Sequence, residues 1–384
     1  MKTIGYLIFA GFYYIYRLTF PVKRKKVFSV MTHDASRDGN VGVMMEYLEE
    51  QREGYTFQSI RKEDRHLSGN LQAIKGIIAF FLLKTYHLAT SEFVLLDNVF
   101  LPMAYLRFRK SVKVIQLWHG TGTIKRFGQD YNTGRLKVLE KRSNDRITHL
   151  IVNSEETKKQ YAGAFGVDVN KVYVYGLPRT DLLFRKDKIE ERKNKFYGQY
   201  PELIGKKLVL YAPTFRDREK DHPKLELDID RISKELSPEY VVLLRLHPFV
   251  AKAFEQNILL KSYEASASIR SMSLYEDINT LLLVSDYLIT DYSSVIYEYC
   301  LLEKPMIFYA YDLEQFSDHG RGFYHPYEAY VPGPVVRNTE DIIKLLNKNT
   351  FPTEGMIDFV IKNYRYLDGK SAKRIYEHIF CDKE

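Results

Sequence analysis

The residues Ser285–Tyr297, SDYLITDYSSVIY, constrain the fold of this chain more than any other stretch. An apolar run ends at Asp291, two hydroxyls follow at once, and an apolar helical pattern starts beyond them. β-Favouring side chains between Leu281 and Thr290 predict a strand, and Val295–Leu302 predict the next helix. Ser293 or Ser294 can cap that helix, so that its unpaired N–H groups and positive end face the carboxyl edge of a parallel sheet. Such an edge binds phosphate through backbone rather than through a P-loop lysine. An N-cap with no ligand satisfies the same local pattern.

The strand-then-helix rhythm recurs along the 384 residues. Val27–Met31, Phe93–Leu96, Val112–Leu117, His149–Val152 and Val172–Tyr175 read as strands in the first half. Lys207–Tyr211, Val241–Leu246, Leu281–Ile289 and Met306–Tyr309 follow in the second. Ser154–Ala162 reads as a helix capped by Ser154, with glutamates in its first turn. Arg185–Lys195 is charged at nine of eleven positions and marks a boundary, as a linker or a solvated helix. The expected fold is α/β: two Rossmann-like domains, 23–184 and 201–384, facing across a central cleft, with 185–200 between them and the C-terminal helices in the second. One large domain with a long insertion also fits the alternation.

Residues 1–22 stand apart. Ile4–Phe20 is dense in large apolar and tyrosine side chains, is broken by Arg17, and is followed by Lys23–Lys26. The run falls short of the about 20 apolar residues usual for a spanning helix, and its tyrosines suit a headgroup layer. Only Lys2 precedes it and Pro21 leads into a basic tract, unlike a signal peptide. The reading adopted is a segment lying in or against an anionic inner leaflet; burial on the first domain and a true span are the alternatives. Ile77–Leu83 either extends that surface or is core. A formal charge of +8 suits phosphate-rich or anionic-membrane partners. Zinc-finger spacing, a basic zipper and RNA-binding aromatic motifs are all missing from the sequence, so nucleic acid is not an expected partner. Cys300 and Cys381 make no C-x-x-C motif.

Several strand ends carry reactive side chains. His119, in Leu117-Trp118-His119-Gly120, can present a neutral imidazole as a base, and Asp97 at another strand end can orient it. Asp34 and Asp38 are weaker candidates. Period-two alternation puts Arg245 and His247 on one face of an extended strand, where they can contact a diphosphate or simply pack. Thr214 and Arg216 lie in a further loop after a strand. Each histidine has a structural reading as well.

LWHG at 117–120, GLPRTD at 176–181, APTFR at 212–216, LRLHP at 244–248 and TDYSSVIYE at 290–298 occur in this order. Together they resemble the CDP-glycerol glycerophosphotransferase family of teichoic acid synthesis over roughly residues 25–375. The resemblance implies a GT-B architecture, an acceptor-side first domain and a CDP-donor-binding second domain. It implies His119 as the base on the acceptor hydroxyl and His247 on the donor phosphates. Ser293 and Ser294, with Arg245, Thr214 and Arg216, would bind those phosphates. Asp291 would shape the turn, Glu298 would meet a donor hydroxyl, and Arg179 and Asp181 would serve near the domain crossing or structurally. CDP-glycerol is the implied substrate and no cofactor is required; a divalent ion brought by the nucleotide stays open, with no metal site expected in the protein. An undecaprenyl-diphosphate-linked disaccharide, the inner membrane leaflet and other enzymes of teichoic acid synthesis are the implied partners, at the cytoplasmic face of the bacterial cell membrane. The chain's modest length favours the priming enzyme over a glycerol- or ribitol-phosphate polymerase. A nucleotide-sugar glycosyltransferase and a non-catalytic membrane or polyanion-binding protein are the readings from other classes.

Overall fold

The computed structural model describes residues 2–62, 64, 76, 80–216, 224–247, 250, 251, 268–275, 277–351 and 354–381. The chain divides into two compact units: Met1–Gly122 with Arg126–Phe184 and Asn363–Glu384, and Thr123–Lys125 with Arg185–Lys362. Each is built on a parallel sheet of six strands.

In the first unit β1 (Lys23–Met31), β2 (Thr56–Arg61), β3 (Ser91–Leu96), β4 (Lys113–Gln116), β5 (His149–Val152) and β6 (Val172–Val174) lie in the order β2-β1-β3-β4-β5-β6. The central strands are apolar on both faces because both faces are covered. Phe28, Val30, Val94 and Leu96 point into one core with Phe9 and Tyr13 of α1 (Lys2–Thr19). Val27, Met31, Phe93 and Leu95 point into the other with Met44, Leu48 and Ile375. The chain leaves β1 for β2 on one side and returns to β3 on the other. The crevice at the carboxyl ends of β1 and β3 is therefore the topological switch point, where ligands bind in sheets of this kind.

In the second unit β7 (Lys207–Tyr211), β8 (Tyr240–Leu244), β9 (Ile269–Ser271), β10 (Tyr287–Thr290), β11 (Met306–Tyr309) and β12 (Val335–Val336) are ordered β12-β11-β10-β7-β8-β9. Its switch point lies between β7 and β10. The charged tract forms the helix Lys186–Gln199.

Two expectations change. Leu281–Val284 are helical, not strand: they end the helix Ile278–Val284, which Asp277 caps by accepting from the Asn279 N–H, and the strand begins only at Tyr287. Residues 363–384 belong to the first unit rather than the second, because Ile375, Ile379 and Phe380 fill its core. Lys23–Lys26 lie in β1, where Lys23 and Arg24 are exposed, Lys26 is buried with Nζ on Thr90 Oγ1 at 2.7 Å, and Lys25 pairs with Glu53 at 2.9 Å. The apolar segment α1 buries Phe9 and Tyr13 in the first unit while leaving Ile4, Leu7, Ile15 and Leu18 exposed. Among the described residues no helix is long and apolar enough to cross a membrane. Of Ile77–Leu83, residues 77–79 lie outside the described residues, while Phe80 and Phe81 pack against the α1 core.

Candidate active site

The switch point of the first unit is organised by Asp97. Its carboxylate, nearly fully buried, accepts from the Thr32, His33 and Asp34 N–H groups at 3.0, 2.9 and 2.9 Å, pinning the loop after β1 to the end of β3. Burial raises its pKa, and these three donors act against that rise. The Asp97 side chain therefore does not reach His119. Orientation comes instead from the Asp97 main-chain carbonyl, 2.9 Å from His119 Nδ1. A carbonyl only accepts, so Nδ1 carries the proton and Nε2 has a free lone pair.

His119 follows a bend at Trp118, whose φ of 57° is left-handed, a conformation unfavourable for a bulky residue. Three side chains hold it there. Gln116 Oε1 accepts from the Trp118 N–H at 3.0 Å, and Asn40 Nδ2 donates to the Leu117 and Trp118 carbonyls at 3.2 and 3.1 Å. Arg179 donates to the His119 carbonyl at 2.9 Å, while its own N–H donates to Asn40 Oδ1 at 3.1 Å. His33 stacks on His119 with ring centroids 3.5 Å apart and planes within 7°. Burial, followed by His33, pushes His119 down to about 3, and its imidazole is neutral at physiological pH. Asp181 sits elsewhere: its carboxylate accepts from Ser371 and Ala372 N–H at 2.9 and 2.8 Å, capping the returning C-terminal helix. Gly176 (φ 84°) passes so close that a Cβ would stand 2.4 Å from Ser371 Oγ. The GLPRTD motif is thus split: Arg179 braces the histidine turn, and Gly176 and Asp181 seat a helix.

The switch point of the second unit is organised by Asp291. Its Oδ1 accepts from Thr214 N–H at 2.8 Å and Tyr292 N–H at 2.6 Å, and Oδ2 accepts from Arg216 Nη1 at 2.7 Å. Arg216 also forks onto Asp312 through Nε and Nη2 at 2.9 and 2.8 Å and donates to the Thr214 carbonyl at 2.6 Å. Tyr292, Tyr311 and Phe316 enclose the guanidinium. Buried and so committed, Arg216 shapes the loop rather than presenting itself to a phosphate. Ser293 Oγ accepts from the Val295 N–H at 3.3 Å, whereas Ser294, at the cap position of Val295–Tyr299, makes no side-chain cap bond. Glu298 is buried on this helix.

Arg245 and His247 are not a same-face strand pair, because β8 ends at Leu244. Arg245 turns its Nη1 onto the Met272 and Ser273 carbonyls at 3.0 and 2.6 Å, and His247 stacks on Phe215 at 4.2 Å. His247, Thr214, Arg216, Lys224 and Glu226 border a cleft. Thr214 Oγ1 has no hydrogen-bond partner there among the described residues. Among those residues no group of three or more His, Cys, Asp or Glu side chains could hold a metal ion. His33, Asn40, Gln116 and Asp312 escaped the sequence reading. The run Thr32-His33-Asp34-Ala35-Ser36 after the strand at Val27–Met31 is the one available signal for His33.

Two Rossmann-like parallel-sheet units, each with a polar cluster at its switch point, define a GT-B-like protein, and solved structures agree. A variant of the wall teichoic acid polymerase TagF superposes with a TM-score of 0.79 at 26% identity, covering 96% of this chain and 92% of that one. The model of the family CDP-glycerol:poly(glycerophosphate) glycerophosphotransferase matches residues 12–381, and the chain belongs to that family. Over its whole length it is 35% identical to a teichoic acid poly(ribitol-phosphate) polymerase of Bacillus spizizenii, of which it covers 60%. It is 31% identical over 97% of its length to a teichoic acid ribitol-phosphate primase of the same organism, covering 95% of that protein. The chain spans about three fifths of the length of the ribitol-phosphate polymerases it matches.

Proposed function

We propose that this chain transfers an alditol phosphate from a CDP-activated donor, CDP-glycerol or its ribitol counterpart, onto the hydroxyl end of a growing poly(alditol phosphate) in wall teichoic acid synthesis. The observation that carries the extending role is the 35% identity to a poly(ribitol-phosphate) polymerase across the whole of this chain. Near-complete mutual coverage with a primase supports a second reading, addition of the first alditol phosphate to a lipid-linked disaccharide.

In the proposed reaction the first unit serves the acceptor. His119 Nε2 takes the acceptor hydroxyl proton as that oxygen bonds to the phosphorus bearing the alditol, and the bond from that phosphorus to the pyrophosphate bridging oxygen breaks, releasing CMP. The Nδ1-protonated tautomer, which leaves the Nε2 lone pair to receive the proton, supports this role. The second unit serves the donor. His247 and Thr214 at the cleft, with Ser293 and Ser294 at the helix start, contact the diphosphate, while Asp291 and Arg216 hold the loops in place and Glu298 lies one turn beyond. Arg245 steadies the loop behind His247. The exposed apolar face of α1 rests on the inner leaflet, which supplies the lipid-linked acceptor.

The test offers the full chain each CDP-alditol with two acceptors, the lipid-linked disaccharide with and without one alditol phosphate already attached. Repeated additions to the primed acceptor, read by mass spectrometry, are expected. A single addition confined to the unprimed acceptor would establish the priming role instead, and release of a nucleoside diphosphate from a nucleotide sugar would mark a glycosyltransferase.

A further inference from the structure

We infer that His33 is a positioning residue for His119, the two stacked imidazoles forming one proton-handling pair in which His33 takes the charge and His119 stays neutral. The inference deepens the proposed function and rests, for its catalytic meaning, on His119 being the acceptor base.

With centroids 3.5 Å apart and planes within 7°, no atom fits between the rings, and no hydrogen bond joins them because their N–H groups lie in plane. Neutral rings stack favourably, but two cations at this separation do not. Even with the dielectric constant of water, their repulsion displaces the second protonation by about one pH unit, and by more where water is excluded.

The surroundings decide which ring receives the proton. Burial lowers the His33 pKa, but His33 is the more exposed of the two rings, and the carboxylates of Asp97, after β3, and Asp34, on its own loop, act against that lowering. Arg179, from the segment after β6, and Lys62, after β2, act in the opposite sense. Among the described residues no carboxylate acts on the His119 ring, which has the Asp97 carbonyl at Nδ1, while Arg179 braces its main chain. The His33 loop is itself fixed by the Asp97 carboxylate, which receives the His33 N–H at 2.9 Å. One aspartate thus sets both rings, one through its side chain and the other through its carbonyl. The stack also screens one face of His119 and fixes its ring plane, so that Nε2 points in a single direction.

Imidazole titrations of the full chain by NMR test this directly, comparing the native protein with His33→Phe, which keeps a stacked ring and removes the charge, and His33→Gln. In the native protein His33 should titrate first and His119 should stay neutral to the lowest pH the fold survives. In both variants His119 should protonate at least about one pH unit higher, and the acid limb of single-turnover CMP release should move up with it. An unchanged His119 midpoint in whichever variant is folded overturns the inference. If His119→Ala keeps native single-turnover rates, the reading of His119 as base fails, whereas the titrations still report on the pair.

Discussion

Replacing Asp97 with Asn separates two ways in which this residue could serve His119. The carboxylate receives three backbone N–H groups from Thr32, His33 and Asp34. An amide offers one oxygen, enough for the two donors now on Oδ2, and turns an NH2 group toward the third. Two bonds then weaken from charge-assisted to neutral, by about 1 kcal/mol each, and one donor is left unsatisfied at about 1–3 kcal/mol. Relief of burying a charge offsets part of this, so we expect a net loss of about 2–3 kcal/mol. For a unit of this size that lowers Tm by roughly 5–10 °C. Because the main-chain carbonyl remains, His119 should keep its Nδ1–H tautomer and turnover should fall far less than in His119→Ala. Urea unfolding measures the first quantity and ¹⁵N shifts of the imidazole measure the second. A stability loss below about 1 kcal/mol, or a switch of His119 to the Nε2–H tautomer, would refute the carbonyl-based account.

His119→Ala should lower single-turnover CMP release by about 10²–10⁴-fold with donor affinity nearly intact, whereas His247→Ala should weaken donor binding; calorimetry with CDP-glycerol resolves the two, and the opposite pattern would exchange the roles of the units. Arg216→Met should destabilise by about 3–5 kcal/mol because Asp291 and Asp312 are left facing each other without their cation, and Arg216→Lys should rescue little, since an ammonium cannot make the fork; chemical denaturation checks both. Ser293→Ala should cost about 1 kcal/mol and Ser294→Ala almost nothing, since only Ser293 accepts a backbone N–H, while the double substitution should weaken donor binding. Burial pushes His87, His119 and His149 down to about 4, 3 and 4. The unfolded chain, with histidines near 6.5, therefore binds more protons at mildly acid pH, so stability should decline as pH falls from about 6.5 toward 4, visible as a falling urea midpoint.

Where the sequence was readable, the reason was local. The strands His149–Val152, Lys207–Tyr211 and Met306–Tyr309 stand where apolar runs predicted them, and Ser154 caps its helix by accepting the Thr157 N–H. Two edge strands are not legible: Thr56–Arg61 buries few of its side chains and reads as polar, and Val335–Val336 spans two residues. Leu281–Val284 misled because apolar residues suit a buried helix and a buried strand equally, and Asp277 as a cap decides between them.

The sequence by itself determined the α/β alternation, the ordered set of motifs and the positions of His119, His247, Asp291 and the serine pair at element ends, because hydrophobic periodicity and capping act within a few residues. Only the tertiary structure decided what those side chains meet. That Asp97 serves two loops, that Arg216 is enclosed by Asp291 and Asp312, that Asp181 seats a helix 190 residues away and that His33 lies on His119 all depend on strand order. Parallel sheets bring the carboxyl ends of distant strands together, and no local pattern encodes which ends become neighbours.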